Sequence, residues 1–311
     1  MNKKILADAD IFAVKGGLFI LSKHGPRIFW KSIGVYGDGE QLDSKALASV
    51  SARDFNPVRV DGAIHFYNKS TVVKVPLLEA TDVNSNIPTT DKVSTWDKRI
   101  SKVALAAEKK FSDSIAFAGA LFEPSRVLAS NGFRMHGLDI QTPAEEPIVI
   151  PARALEVIGA LRPTHYGFVD DGIYARGESW IAWSPATPGG YPPYKHIFPK
   201  EFLDPPVRLL NKRLDTLKEV VKVAKSLHTN ASVAVLEDGG IEIYLPPEGV
   251  DPMHVDNMFT PLPIPLVVHG VYLLQALEYV GKDAIIQISS EKTPMLLRGD
   301  GTWAIFSPLR T

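Results

Sequence analysis

The strongest constraint on the fold is a recurring texture. Stretches with apolar residues at helical spacing are each followed by alternating apolar runs broken by glycine-containing turns. Four stretches carry the helical spacing. Residues 95–110, TWDKRISKVALAAEKK, place Trp96, Ile100, Val103 and Ala107 on one face, with Ser94 or Thr95 as N-cap. Residues 151–162, PARALEVIGALR, begin at Pro151 and stop before Pro163. Residues 211–227 align Leu214, Leu217, Val221 and Ala224 in one stripe, and residues 269–281 close on Gly281. A fifth, shorter stretch spans 43–54, DSKALASVSARD.

Behind these helices come VRVDGAIHFYNKSTVVKV, YGFVDDGIYARGESWIAW, SVAVLEDGGIEIYL and AIIQISSEKTPMLLRGDGTWAIF. Asp-Gly and Gly-Asp-Gly between alternating segments are hairpin signals. A unit of one helix and two to four antiparallel strands therefore recurs, which predicts an α+β fold with helices packed on one face of each sheet. Turn-rich breaks at 84–91 and 199–206 divide the chain into segments 1–90, 91–204 and 205–311.

Composition narrows the class. An apolar content of 45% with 22% charged residues describes a soluble globular chain. No run approaches the ~20 apolar residues of a membrane span, and the opening MNKKILADAD lacks the apolar core of a secretory signal, so a cytoplasmic protein is expected. The absence of cysteine excludes disulfides, thiolate metal sites and thiol nucleophiles.

Net charge is −1, so only the distribution of charge speaks to a polyanionic partner. At helical spacing, Lys98, Lys102 and Lys109 fall within about 40° opposite the apolar face of the 95–110 helix, and Lys218, Lys222 and Lys225 within about 60° on the 211–227 helix. Arg153 and Arg162 add two cations on the helix between them. A solvated helix face explains any one cluster. Recurrence on successive helices instead suggests a sequence-independent phosphate-binding surface. No aromatic residues interleave with the lysines, so single-strand stacking is not indicated.

No constellation for catalysis emerges. Gly177-Glu178-Ser179-Trp180-Ile181 lacks the second glycine of a nucleophile elbow. His254 and Asp256 have no second cluster to complete a metal site. Asp170 and Asp171 are adjacent and precede Gly172, a turn pattern rather than an acid/base pair. TPGGYPP lacks the Lys-Ser/Thr and the following helix of a phosphate loop. No catalytic residue, metal or cofactor is assigned.

Three stretches bring a family into view: LASNGFRMHGLDI at 128–140, GGYPPYKHIFPKEF at 189–202 and WAIFSPLRT at 303–311. In order and spacing they resemble the bacterial DNA polymerase sliding clamp, the β subunit, with its Ala-Thr-Asp-Gly-His-Arg-Leu, Phe-Pro-Asp-Tyr and terminal Met-Pro-Met-Arg-Leu motifs. PIVIPARALEVI and VYLLQALEYV are similar to two of that family's helices with their lead-in strands, so the resemblance covers about residues 92–311. It implies the DNA clamp fold: a head-to-tail homodimeric ring of repeated helix-plus-strand units, helices lining the hole and sheets outside. It also implies a non-enzymatic processivity factor that encircles duplex DNA without reading bases and tethers a replicative polymerase.

The same resemblance implies a pocket for polymerase and clamp-loader peptides, formed by Phe117, Ser130, Gly132, Arg134, Met135, Pro192, His196, Ile197, Ile305, Ser307, Pro308 and Leu309. The chain departs from the family at several of its motif positions: Phe133 replaces the motif histidine, Ser130 and Asn131 replace its threonine and aspartate, and Ser307 takes the place of the final methionine. The first segment is shorter than the family's, and five helices are read where it has six. This trimming suggests a bacteriophage-type version and raises an alternative, a clamp-like decoy that binds such peptides without encircling DNA. A β-rich hydrolase is the distant alternative from another class. Residues 303–306 are expected to form the last strand of the third segment's sheet, with 307–311 lying along the pocket.

Overall fold

Hairpins set the architecture, and residues with left-handed backbone make them. Asp61 (φ 43°) and Gly62 (φ 72°) form a two-residue turn joining Asn56–Val60 to Ala63–Tyr67, with Val60 opposite Ala63. Asp170 (φ 47°) and Asp171 (φ 49°) do the same between His165–Val169 and Gly172–Arg176. Two successive positive φ values match the twist of the flanking strands, and aspartate tolerates that region better than branched residues do. The aspartate pair is thus a turn, as its sequence suggests.

The computed structural model describes residues 9–22, 25–31, 35, 37–43, 56–67, 72–80, 84–107, 115–210, 213–227, 232–243, 253–281 and 283–309. The expected helix at 43–54 lies outside them apart from Asp43, as do Lys109, Arg310 and Thr311. The chain forms two compact units, Met1–Ala104 with Gly119–Pro124 and Gln141–Gly190, and Leu105–Ala118 with Ser125–Ile140 and Tyr191–Thr311.

The first unit is built on an 11-stranded antiparallel sheet. Its strands run in the order Asn56–Val60, Ala63–Tyr67, Val72–Ala80, Glu40–Leu42, Ala9–Val14, Gly17–Ser22, Arg27–Lys31, Trp180–Pro185, Gly172–Arg176, His165–Val169 and Val93–Thr95. The junction of Arg27–Lys31 with Trp180–Pro185 fuses two segments of the sequence into one sheet. Phe12, Val14, Phe19 and Ile87 form a core there, covered by Phe29, Ile181 and Trp183. A second cluster packs Trp96, Phe122, Tyr166 and Phe168 at ring separations of 5.3–6.2 Å, three pairs edge to face and Phe122–Tyr166 tilted.

Two helices belong to this unit, α1 (Arg99–Val103) and α2 (Ala152–Ala160). The helix expected at 95–110 is shorter because Val93–Thr95 pairs with His165–Gly167 as a sheet strand. Asp97 replaces the expected cap: its Oδ1 accepts the Arg99 N–H at 2.8 Å, and its carbonyl accepts that of Ile100. After Val103 the chain tightens into a 3₁₀ turn, Ala104–Ala106. Ile100, Val103 and Ala107 are buried as their spacing requires.

In the second unit, strands run in the order Arg126–Ser130, Arg134–Leu138, Thr302–Phe306, Met295–Arg298, Ile285–Gln287 and Val207–Arg208. A second sheet orders Met253–Val255, Ile241–Ile243, Ser232–Val235 and Leu266–His269. Helices α3 (Leu214–Leu227) and α4 (Gly270–Val280) pack on each other. Leu217, Val221 and Ala224 of α3 are buried with Leu273, Ala276 and Leu277 of α4, each large aliphatic contributing about 1.5–3 kcal/mol of burial. Gly281 (φ 112°) ends α4, its N–H donating to the Leu277 carbonyl at 2.9 Å. The expected last strand is present as Thr302–Phe306. It lies between Arg134–Leu138 and Met295–Arg298, paired along both sides.

Candidate functional site

All twelve residues assigned to the peptide pocket lie in the second unit. Its centre is the turn between Arg126–Ser130 and Arg134–Leu138. Gly132 (φ 86°) takes the left-handed conformation that lets the chain reverse. Ser130 Oγ donates to the Arg134 carbonyl at 2.8 Å and accepts the Gly132 N–H at 3.0 Å. Asn131 Oδ1 accepts the N–H groups of Phe133 and Arg134 at 3.2 and 3.0 Å. The two positions that differ from the clamp motif, Ser130 and Asn131, therefore supply the bonds that fix this turn.

Around the turn the structure gathers the rings of Phe117, Tyr191, Tyr272 and His269. Phe117, on the 3₁₀ turn Ile115–Ala118, meets Tyr191 edge to face at 6.2 Å, and its ring lies 4.0 Å from where a Gly132 Cβ would stand. Burial pushes the Tyr191 phenol up, against the opposing pull of the Ser130 backbone. The Arg134 side chain is buried; its Nη2 donates to the Leu105 carbonyl at 2.7 Å, and its guanidinium lies 4.7 Å from the Tyr272 ring centre. Tyr272 stacks in turn on His269 at 4.2 Å, and Asn131 Nδ2 donates to the Tyr272 hydroxyl at 3.3 Å. Burial, then the Arg134 charge, pulls the His269 pKa below its ordinary value, so this corner holds one buried cation and a neutral imidazole.

The tail enters from the C-terminal strand. Met135 and Ile305 are a buried cross-strand pair, a floor rather than an open wall. The Ser307 N–H donates to the Phe133 carbonyl at 3.3 Å and the Leu309 N–H to the Val267 carbonyl at 2.7 Å. Ser307 is exposed, Pro308 buried and Leu309 half-buried. Pro192 follows Tyr191, and His196 and Ile197 sit on the 3₁₀ turn Lys195–Ile197, which is tied to the C-terminal strand by the Phe198–Trp303 contact at 5.0 Å. Tyr191, His269 and Tyr272 are not among the residues assigned from the sequence, and Asn131 is read there only as a motif position. The sequence reads both Tyr272 and His269 as helix, although His269 ends the strand Leu266–His269, and no local pattern reports that they face a turn more than a hundred residues earlier in the sequence.

The basic residues are less uniform than their spacing suggests. Lys98 and Lys102 are exposed in the first unit, and Arg162 (φ 56°) is exposed just beyond the end of α2. Arg153 pairs with Glu156 at 3.5 Å. On α3, Lys218 pairs with Asp215 at 3.3 Å and Glu278 at 3.5 Å, and Lys222 with Glu219 at 3.7 Å, while Lys225 is exposed in the last turn. Carboxylates one helical turn away neutralise part of that face.

Ser179 lies in the turn closed by the Gly177 N–H donating to the Trp180 carbonyl, and its own carbonyl accepts the Lys31 N–H. His254 Nε2 lies 2.7 Å from Asp256 Oδ1, and among the described residues no group of His, Asp or Glu is arranged to hold a metal ion.

The fold is that of the sliding clamps, the β subunits of bacterial DNA polymerase III. The Thermotoga maritima β subunit superposes with a TM-score of 0.74 at 15% identity, over 99% of this chain and 92% of that one. The Streptococcus pneumoniae β chain gives 0.72 at 16% identity, over 100% and 94%, and the Helicobacter pylori β clamp bound to a DNA ligase peptide gives 0.69 at 19%, over 98% and 92%. No protein-family model matches the chain, and no curated protein matches its sequence.

Proposed function

We propose that this protein is a DNA sliding clamp: a non-enzymatic cytoplasmic ring subunit that encircles duplex DNA and tethers a replicative polymerase through an apolar peptide site. The observation that carries this reading is the clamp fold over nearly the whole chain, at a TM-score of 0.74. The H. pylori clamp binds a DNA ligase peptide, and here the Ser130–Arg134 turn, Phe117 and the 307–309 tail converge in one unit. Three clamp domains at 1–90, 91–204 and 205–311, assembled head to tail as a homodimer, fit this function, and the bacteriophage-type origin rests on the short first domain. Polymerase and clamp-loader segments are the partners, and Lys98, Lys102, Arg162 and Lys225 are the cations best placed to meet phosphates.

The experiment is retention on DNA after loading. A ring stays on nicked circular DNA and slides off once the circle is linearised. Equal retention on both forms, or a strict monomer at micromolar concentration, would refute the ring. A second reading, a decoy that binds clamp-binding peptides without encircling DNA, is favoured by the acidic partners of Lys218 and Lys222. It predicts peptide binding with no topological retention.

A further inference from the structure

Where the two sheets of the second unit meet helix α4, ten side chains line an apolar cavity. Val235, Leu266 and Val268 come from the four-stranded sheet, Ile286 and Met295 from the larger sheet, and Leu273 from α4. All ten are apolar and at most 7% exposed, and none is among the twelve residues assigned to the peptide pocket. The centre of a water-sized sphere has about 20 Å³ in which to stand. A single water needs roughly 10–15 Å³ on that measure, so the space exceeds what close packing leaves by chance. Room alone does not make a water site. A retained water needs two to four polar partners, and here no polar atom faces the space. The lining strands contribute to the gap. Val235 and Val268 lie on neighbouring strands, Val235 opposite Leu266, and each is one methylene shorter than isoleucine.

We propose that this cavity is a binding site for a compact apolar solute, a few heavy atoms in size. The solute leaves water, which is favourable for any apolar surface, and supplies the dispersion contacts that the lining side chains lack. An ion or a hydrogen-bonding ligand is rejected, because nothing in the lining replaces its hydration. Two sheets and a helix share the walls, so an occupant touches all three and stabilises the folded second unit by mass action. The site stands apart from the clamp reading and would exist whatever the protein does with DNA.

The test is thermal unfolding of the full chain under rising xenon pressure, with the xenon NMR shift giving the dissociation constant. Xenon is a single apolar atom that cannot hydrogen-bond. At about three times that constant, the unfolding midpoint of the second unit should rise by about 2–3 °C. Val268→Ile and Val235→Ile each add one methylene to the lining and should cut the xenon-induced rise to less than about half. They sit on different strands, so if one variant folds poorly the other decides. Ile286→Val enlarges the space and should keep or increase the rise. No xenon-induced rise in wild type overturns the proposal. So does a full rise in both isoleucine variants, which would put the atom elsewhere, or loss of the rise in Ile286→Val.

Discussion

Gly137 and Trp303 face each other across the ladder that joins Arg134–Leu138 to the C-terminal strand, and the fit leaves no room for a methyl group. A Cβ at Gly137 would stand 2.5 Å from Trp303 Cη2 and closer still to Cζ2 and Cε2. Ordinary carbon contacts are about 3.5–4 Å, so the ring would have to retreat by roughly 1 Å or more. It has nowhere to go: it is 3% exposed, its Nε1 donates to Asp139 Oδ1 at 3.2 Å, and Phe198 stands edge-on at 5.0 Å. Overpacking of this kind costs about 1–3 kcal/mol. Gly137→Ala should therefore lower the unfolding midpoint of the second unit by about 5–10 °C, at the upper end of that cost. The assay is thermal unfolding followed by near-ultraviolet circular dichroism, in wild type, Gly137→Ala, Trp303→Leu and the double variant. Trp303→Leu removes the second ring, so the double variant should lose at least about 1 kcal/mol less than the two single losses added together. A Gly137→Ala midpoint within 1 °C of wild type, or strict additivity, refutes the reasoning.

The remaining predictions concern charge. Because burial and Arg134 depress the folded pKa of His269 below 6.5, the unfolded chain binds the extra proton first. Stability should therefore rise with pH through the window ending near 6.5 and fall as pH drops through it; His269→Gln should flatten that slope in denaturant titrations at successive pH values, and an unchanged slope would remove His269 as its source. Lys98→Glu with Lys102→Glu should weaken duplex binding and reduce its salt slope by about 0.9 for every phosphate that is no longer neutralised, with an unaltered melt. The α3 pair Lys218→Glu with Lys222→Glu should do less, because Asp215, Glu219 and Glu278 already engage those lysines. Equal effects from the two pairs would mean that the carboxylates do not screen them.

Local chemistry made much of this fold legible in the sequence. Asp61-Gly62 and Asp170-Asp171 announce their hairpins because two successive left-handed residues have few other uses. The stripe Leu214, Leu217, Val221 marks α3, and Gly281 marks the end of α4. What stayed hidden depends on distant partners. Thr95 is a plausible cap until His165 pairs with it and draws it into a strand. The Trp303–Phe306 run is recognisable as a strand, but its central place between Arg134–Leu138 and Met295–Arg298 is decided by pairing across half the chain. The residues proposed for the peptide site divide the same way. The resemblance pointed to the 130–134 turn and the 307–309 tail, while the Arg134–Tyr272–His269 stack arises from packing that no spacing encodes.

The central C-terminal strand also sets a timetable. Trp303 and its partner Asp139 are 164 residues apart, so at roughly 5–20 residues per second a ribosome needs about 8–30 s to deliver the second after the first. Throughout that interval the nascent Arg134–Leu138 strand waits without the neighbour that will cover one of its edges. An apolar edge exposed for that long can recruit another chain, so chaperone demand in the cell should track the supply of residues 302–306 rather than the stability of the finished protein.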